Sequence, residues 1–130
     1  MAAHAQRVTR FDVRIQRAID LIAANYGKSI GVPDLAEAVG LSISHFSHLF
    51  RDNVGVSPAK FLRDLRMCEA ERLMMTTALP LSAIFPRVGV TDRSHFVRKF
   101  RQCYGLAPSI YRARQSLENR NHIHKAELIS

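Results

Sequence analysis

Apolar side chains recur at helical spacing along most of this 130-residue chain, and glycine or proline interrupts them at intervals of one short helix. After a polar arm, residues 1–11, Asp12 can cap a helix whose Ile15, Ala18, Ile19, Ile22 and Tyr26 form one stripe, with Gly27 ending it. Pro33 suits the first position of a short helix that turns Leu35, Ala36 and Val39 inward. Gly40 supplies a turn, and Ser42 caps a helix over about 43–54 with Phe46, Leu49 and Phe50 on its apolar back. Gly55 stops it. Ser57-Pro58 opens a long helix to about Thr76, carrying Phe61, Leu62, Leu65, Ala70, Leu73 and Met74. The plan then returns: a short helix over about 81–88, a turn at Gly89, a helix over 93–103 capped by Asp92, and a last helix from Pro108 toward Leu117. From residue 118 the apolar period is lost, which predicts a basic, poorly ordered tail over 118–130. No segment reads as a strand. The expected fold is all-α, with about seven helices.

The return is a duplication. Ser44-His45-Phe46, Phe50-Arg51, Gly55 and Pro58 recur fifty residues later as Ser94-His95-Phe96, Phe100-Arg101, Gly105 and Pro108. Upstream, with one extra residue allowed, Leu35-Ala36 and Val39-Gly40-Leu41 face Ile84-Phe85 and Val88-Gly89-Val90. Two copies are too few for a solenoid, so the chain carries one module twice.

The module has the parts a helix-turn-helix needs. Ala36 lets two helices cross closely, Gly40 tolerates a left-handed turn, Ser42 caps the second helix, and Phe46, Leu49 and Phe50 anchor its back. Its free face then presents Ser44, Ser47 and His48, with Arg51 a turn further on. In the second copy the corresponding set is Arg93, Ser94, Val97 and Arg98, followed by Lys99 and Arg101. Of these, Ser44, Ser47, His48, Arg93, Ser94, Val97 and Arg98 are the candidate base-reading residues. Ser42, Arg51, Lys99 and Arg101 are the candidate phosphate contacts.

Charge gives this face a partner. The net charge is +8, from 19 Lys and Arg against 11 Asp and Glu, which points to a polyanion and first to nucleic acid. Residues 1–80 hold 10 basic and 8 acidic side chains, whereas 81–130 hold 9 and 3, so the second copy carries most of the field. Cys68 and Cys103 form no CxxC pair and read as reduced thiols, and no apolar run is long enough to span a bilayer. A soluble cytoplasmic protein is the expectation.

The pattern Leu35-Ala36, Gly40, Ser42, Phe50, Gly55, Ser57-Pro58, Phe61-Leu62, Arg66, Ala70, then Ile84, Gly89, Asp92, Ser94-His95-Phe96, Phe100, Gly105, Pro108 and Tyr111-Arg112 resembles the AraC/XylS family of bacterial transcription regulators. The resemblance covers roughly residues 12–114. It implies a first helix-turn-helix subdomain over 12–57, a linker helix over 58–76 and a second subdomain over 77–117. It further implies that the two second helices enter successive major grooves on one DNA face, near promoters and often beside RNA polymerase. Two departures stand out: Phe85 and Val90 replace the family's Ala and Phe, and Pro86 lies inside the supporting helix. Many relatives carry an effector domain ahead of this one. Here the chain is either a small stand-alone member or the C-terminal part of a larger regulator.

Each candidate has a plainer competitor. His45 and His95 hold equivalent places just inside their helices, which favours packing or capping over chemistry. His48 faces the groove side. A zinc site from His45, His48, His122, His124 and the cysteines lacks the clustering that zinc demands, so no metal or other cofactor is expected. Arg66 reads as an internal ion-pair partner. Neither cysteine has an activating base, which excludes an enzyme. Binding of a protein partner, RNA polymerase or another regulator, remains as an alternative to double-stranded DNA, but it calls for a less basic second reading helix. A monomer with two heads is the expected binding unit. Finally, Pro86 inside a helix predicts a late start at Ser82 or a bend, with Phe85 displacing its neighbours.

Overall fold

The computed structural model describes the backbone of residues 11–129 and the side chains through residue 121. Residues 1–10 of the expected polar arm, and the side chains of His122 and His124, lie outside the described residues. Among the described residues the structure is entirely helical: α1 Val13–Asn25, α2 Val32–Ala38, α3 Ile43–Val54, α4 Pro58–Thr76, α5 Leu81–Arg87, α6 Arg93–Tyr104 and α7 Pro108–Ile129. The chain divides into two compact units, with the boundary between Leu65 and Arg66, inside α4.

In the first unit, α1 begins where the Asp12 carboxylate accepts the Arg14 N–H at 2.8 Å. Hydrogen bonds from the Arg14 guanidinium and backbone hold the Asp12 carboxyl below the usual carboxylate range. The Asp12 N–H itself donates to Asn53 Oδ1 at the far end of α3, 2.9 Å away. Ile15, Ala18 and Ile22 recur every three or four residues and are fully buried against Leu35, Ala36, Phe46, Phe50 and Leu62. Phe46, Phe50 and Phe61 form a three-ring run, with centroids 5.7 and 5.5 Å apart.

The second unit buries Ala70, Met74, Ile84, Phe85, Val88, Phe96 and Phe100. Its aromatic run is longer. Phe85 meets Phe96 edge-on at 5.1 Å, Phe96 leads to Phe100, and Phe100 contacts both Tyr104 at 4.3 Å and Tyr111 at 5.3 Å. The Tyr111 hydroxyl donates to Glu71, and burial, followed by the charge on Glu71, pushes the Tyr111 phenol up. Burial also raises the Tyr104 phenol. The Arg112 guanidinium donates to the carbonyls of Thr77 and Leu79, just past the C-terminus of α4. It thereby satisfies two backbone acceptors in the stretch between α4 and α5, where no helix supplies a partner.

Three sequence expectations are corrected. The last helix does not end near Leu117 but continues to Ile129. Residues 118–129 lack an apolar stripe, yet they contain neither Gly nor Pro, and half of them are Glu, Arg, Lys, Ala or Leu, which favour helix on propensity. Second, α5 begins at Leu81 with Pro80 as N-cap, not late with Ser82 as the cap. Pro86 is the sixth of seven residues, so the hydrogen bond it forfeits belongs to the last turn, and Val88 N–H still reaches the Ile84 carbonyl at 3.2 Å. Third, of the packing or capping role expected of His45 and His95, packing fails for His45, which is exposed, while His95 is half-buried. Both serve the fold through their backbone N–H groups, which donate to the caps Ser42 and Asp92. The ends of α2 and α5 match closely: φ, ψ is −102°, 5° at Val39 and −99°, 7° at Val88.

Candidate nucleic-acid interface

Each turn between the paired helices is a Schellman motif. Gly40 N–H donates to the Glu37 carbonyl at 3.1 Å and Leu41 N–H to the Ala36 carbonyl at 2.9 Å. In the second unit Gly89 N–H donates to Pro86 at 3.3 Å and Val90 N–H to Phe85 at 3.0 Å. Both motifs need a residue at positive φ, and Gly40 and Gly89 supply it at 73° and 78°. A side chain there would cost about 1–2 kcal/mol in backbone conformation alone.

The turn fixes where the next helix starts, and the cap fixes its first N–H groups. Ser42 Oγ accepts the His45 N–H at 3.1 Å, and the Asp92 carboxylate accepts the His95 N–H at 3.0 Å. Four phenylalanines then clamp the backs of α3 and α6: Phe46, Phe50 and Phe100 are fully buried and Phe96 nearly so. With about 100° per residue, that clamp aims a stripe of positions 44, 47, 48 and 51 outward on α3, and 94, 97, 98 and 101 on α6.

The side chains follow this geometry. Ser44, His48 and Arg51 are exposed, as are Ser94, Arg98 and Arg101, while the equivalent Ser47 and Val97 sit half-buried on the shoulders. Lys99 and Arg93 are exposed on opposite flanks of the α6 stripe. Ser42 is exposed too, with its hydroxyl oxygen engaged at the cap. Thus the candidates on α3, and those on α6 apart from Lys99, gather on or beside one face, while Lys99 lies about 150° round the helix from the middle of the stripe.

Cation density marks the α6 face. Some charges elsewhere pair locally, as in Lys60 with Asp64 at 2.7 Å and Arg72 with Glu69 at 2.9 Å. Arg93, Arg98, Lys99 and Arg101 form no ion pair among the described residues. Four cations without carboxylate partners on one short helix suit a polyanion that brings its own negative charge. Arg93 has another neighbour, which the sequence did not reveal: its guanidinium carbon lies 5.5 Å from the centre of the Phe85 ring. Of the remaining candidates, Cys68 and Cys103 are exposed, and burial lowers the Arg66 guanidinium below its ordinary value. No helix among the described residues is long and apolar enough to cross a membrane.

Comparison with known proteins meets this geometry. A family model described as a helix-turn-helix domain matches residues 35–114. The lactose operon transcription activator of Staphylococcus xylosus is 37% identical over 106 residues, covering 82% of this chain and 38% of the activator. The arabinose operon regulatory protein of Escherichia coli K12 is 35% identical over 103 residues, covering 78% of this chain and 35% of that protein. The chain thus spans little more than a third of the length of these two relatives. In fold it is similar to the DNA-binding domain of AdpA, a global transcriptional factor solved in complex with a target DNA. The TM-score is 0.78 at 22% identity, over 82% of this chain and 96% of that one. Family and fold are those of transcription regulators rather than of enzymes. Paired Schellman turns, capped reading helices and the 35–114 match lead to one assignment: the chain belongs to the AraC/XylS family of helix-turn-helix transcription regulators.

Proposed function

We propose that this chain reads an asymmetric duplex DNA site as a monomer, placing α3 and α6 in successive major grooves. The observation that carries this reading is the repeated module with two unlike outer faces, one built on Ser44, Ser47 and His48, the other on Arg93, Arg98, Lys99 and Arg101. Heads that enter grooves one turn of DNA apart, about 34 Å, would span what a dimer of one-headed proteins spans, and unlike heads need no palindrome. Arg93 and Arg98 suit bidentate contacts to guanine, each worth about 1–3 kcal/mol of discrimination. Ser94 and Val97 complete that edge, and Ser44, Ser47 and His48 make shorter, looser contacts in the other half-site. Ser42, Arg51, Lys99 and Arg101 hold phosphates. Regulation of transcription in the cytoplasm, beside RNA polymerase, belongs to the same proposal and rests on the family.

Footprinting combined with sedimentation of the complex tests it. One chain on an asymmetric site is the expected result; an obligatory pair of chains on a perfect inverted repeat would overturn it.

A further inference from the structure

We infer that Phe85 is a positioning residue for sequence reading: its ring is the shelf on which the Arg93 guanidinium is held at the mouth of the second reading helix. The inference rests on the DNA-reading function proposed above and names a residue outside the reading face.

Three observations converge on it. The first is a paired exchange between the modules. Where the first carries Ala36 on the supporting helix and Ile43 at the start of α3, the second carries Phe85 and Arg93 at the corresponding places. The second is geometry. The guanidinium carbon of Arg93 stands 5.5 Å from the Phe85 centroid, within cation–π range. Phe85, 6% exposed, is itself fixed by the edge of Phe96 at 5.1 Å, so the shelf cannot swing away. The third is electrostatic. Arg93 occupies the first helical position of α6, where a cation opposes the positive end of the helix dipole. It gains no ion pair among the described residues in return. A cation placed against its own helix serves something outside the helix.

The chemistry of the pair explains the service. An arginine held against an aromatic face keeps its in-plane N–H fork free, and that fork is what matches two acceptors on a guanine edge. Arg93 lies on the flank of the outward stripe, about 100° round the helix from Ser94. A long side chain rooted there has many orientations, and the ring selects among them before DNA arrives. The effect is one of preorganisation, so it appears as discrimination at one base pair rather than as overall affinity.

The test uses the full chain with duplexes varied one base pair at a time across the second half-site. Phe85→Leu keeps an apolar filler and removes the π face. It is expected to lower discrimination at a single base pair about two- to five-fold. Discrimination elsewhere and the salt dependence should be unchanged, and Phe85→Tyr should retain the wild-type pattern. In an Arg93→Ala background, Phe85→Leu should add nothing. Unaltered discrimination in Phe85→Leu overturns the inference while leaving the DNA-reading function intact, as does an equal loss in the Arg93→Ala background. A uniform loss of affinity with a changed salt slope does the same. A wild-type chain with no sequence preference overturns both. Independently of DNA and of how Phe85→Leu folds, the Arg93 side-chain protons of the free wild-type protein should show an upfield ring-current shift. Unshifted resonances overturn the contact itself.

Discussion

The two modules share a backbone plan but not a chemistry. Turns, caps and helix lengths agree: α2 and α5 have seven residues each, α3 and α6 twelve each. The ring contacts of the first module run through Phe46, Phe50 and Phe61, with Tyr26 also packed against the core, and those of the second through Phe85, Phe96, Phe100, Tyr104 and Tyr111. Tyr104 and Tyr111 stand where Val54 and Phe61 stand in the first copy. The first reading helix carries hydroxyls, an imidazole and one cation, Arg51, on its outer face, whereas the second carries four cations. Backbone geometry is therefore set by a few positions that duplication kept, Gly40 and Gly89, Ser42 and Asp92, Phe50 and Phe100. On the outer faces Ser44 and Arg51 recur as Ser94 and Arg101, whereas Ser47 and His48 give way to Val97 and Arg98.

The largest effects should leave that symmetry unbroken. Phe50→Ala and Phe100→Ala each remove a fully buried ring, and each should cost about 3–5 kcal/mol in its own module, read by hydrogen exchange. A clearly smaller loss for Phe100→Ala would mean that the longer aromatic run repacks around the gap.

Base discrimination should break the symmetry. Arg98→Ala should cost about 1–3 kcal/mol of preference in the second half-site. Ser47→Ala and His48→Ala should each change the first half-site by less, measured with single-base-pair duplex variants. Lys99→Ala should instead weaken all sequences alike and flatten the log K against log salt slope by roughly 0.9.

A smaller asymmetry sits in α5. Pro86→Glu places the residue type of Glu37 at the matching, exposed position and restores an N–H donor for the Ser82 carbonyl. It should stabilise the second module by on the order of 1 kcal/mol, less than the roughly 3 kcal/mol of a mid-helix proline, because only the last turn is affected. An unchanged melting temperature would show that the last turn never depended on that bond.

The smallest is a pH effect. Tyr104 and Tyr111 have phenols raised by burial, so their neutral forms are favoured in the folded state. That contribution is fully present below the unfolded value near 10 and is lost as pH rises through the raised folded values. Alkaline unfolding should therefore weaken the second module before the first. Tyr104→Phe with Tyr111→Phe should remove the difference, as followed by near-ultraviolet absorbance and hydrogen exchange.

The sequence was informative where one residue type has one job. Glycine at a left-handed turn, serine or aspartate at a cap and phenylalanine on a helix back are local signals, and the duplication repeated each of them. It was misleading where a local rule met a short element. Pro86 reads as a helix breaker, yet in a seven-residue helix its position near the end costs one bond and no displacement of the start. Residues 118–129 show that losing an amphipathic period removes evidence of packing, not of helix. Contacts between distant residues were beyond periodicity altogether. Asn53 receiving the Asp12 N–H, Arg112 holding the carbonyls of Thr77 and Leu79, and Phe85 beneath Arg93 all join residues whose spacing carries no pattern.

Selection of bound sequences from a random duplex pool by the wild-type protein tests directly whether one chain carries two unlike reading heads. The expected result is an asymmetric site with two conserved blocks about one helical turn apart, guanine-rich and sharply defined in the block lost on Arg98→Ala, looser in the other. Two blocks of equal sharpness related by a two-fold axis, or a single block, would contradict it.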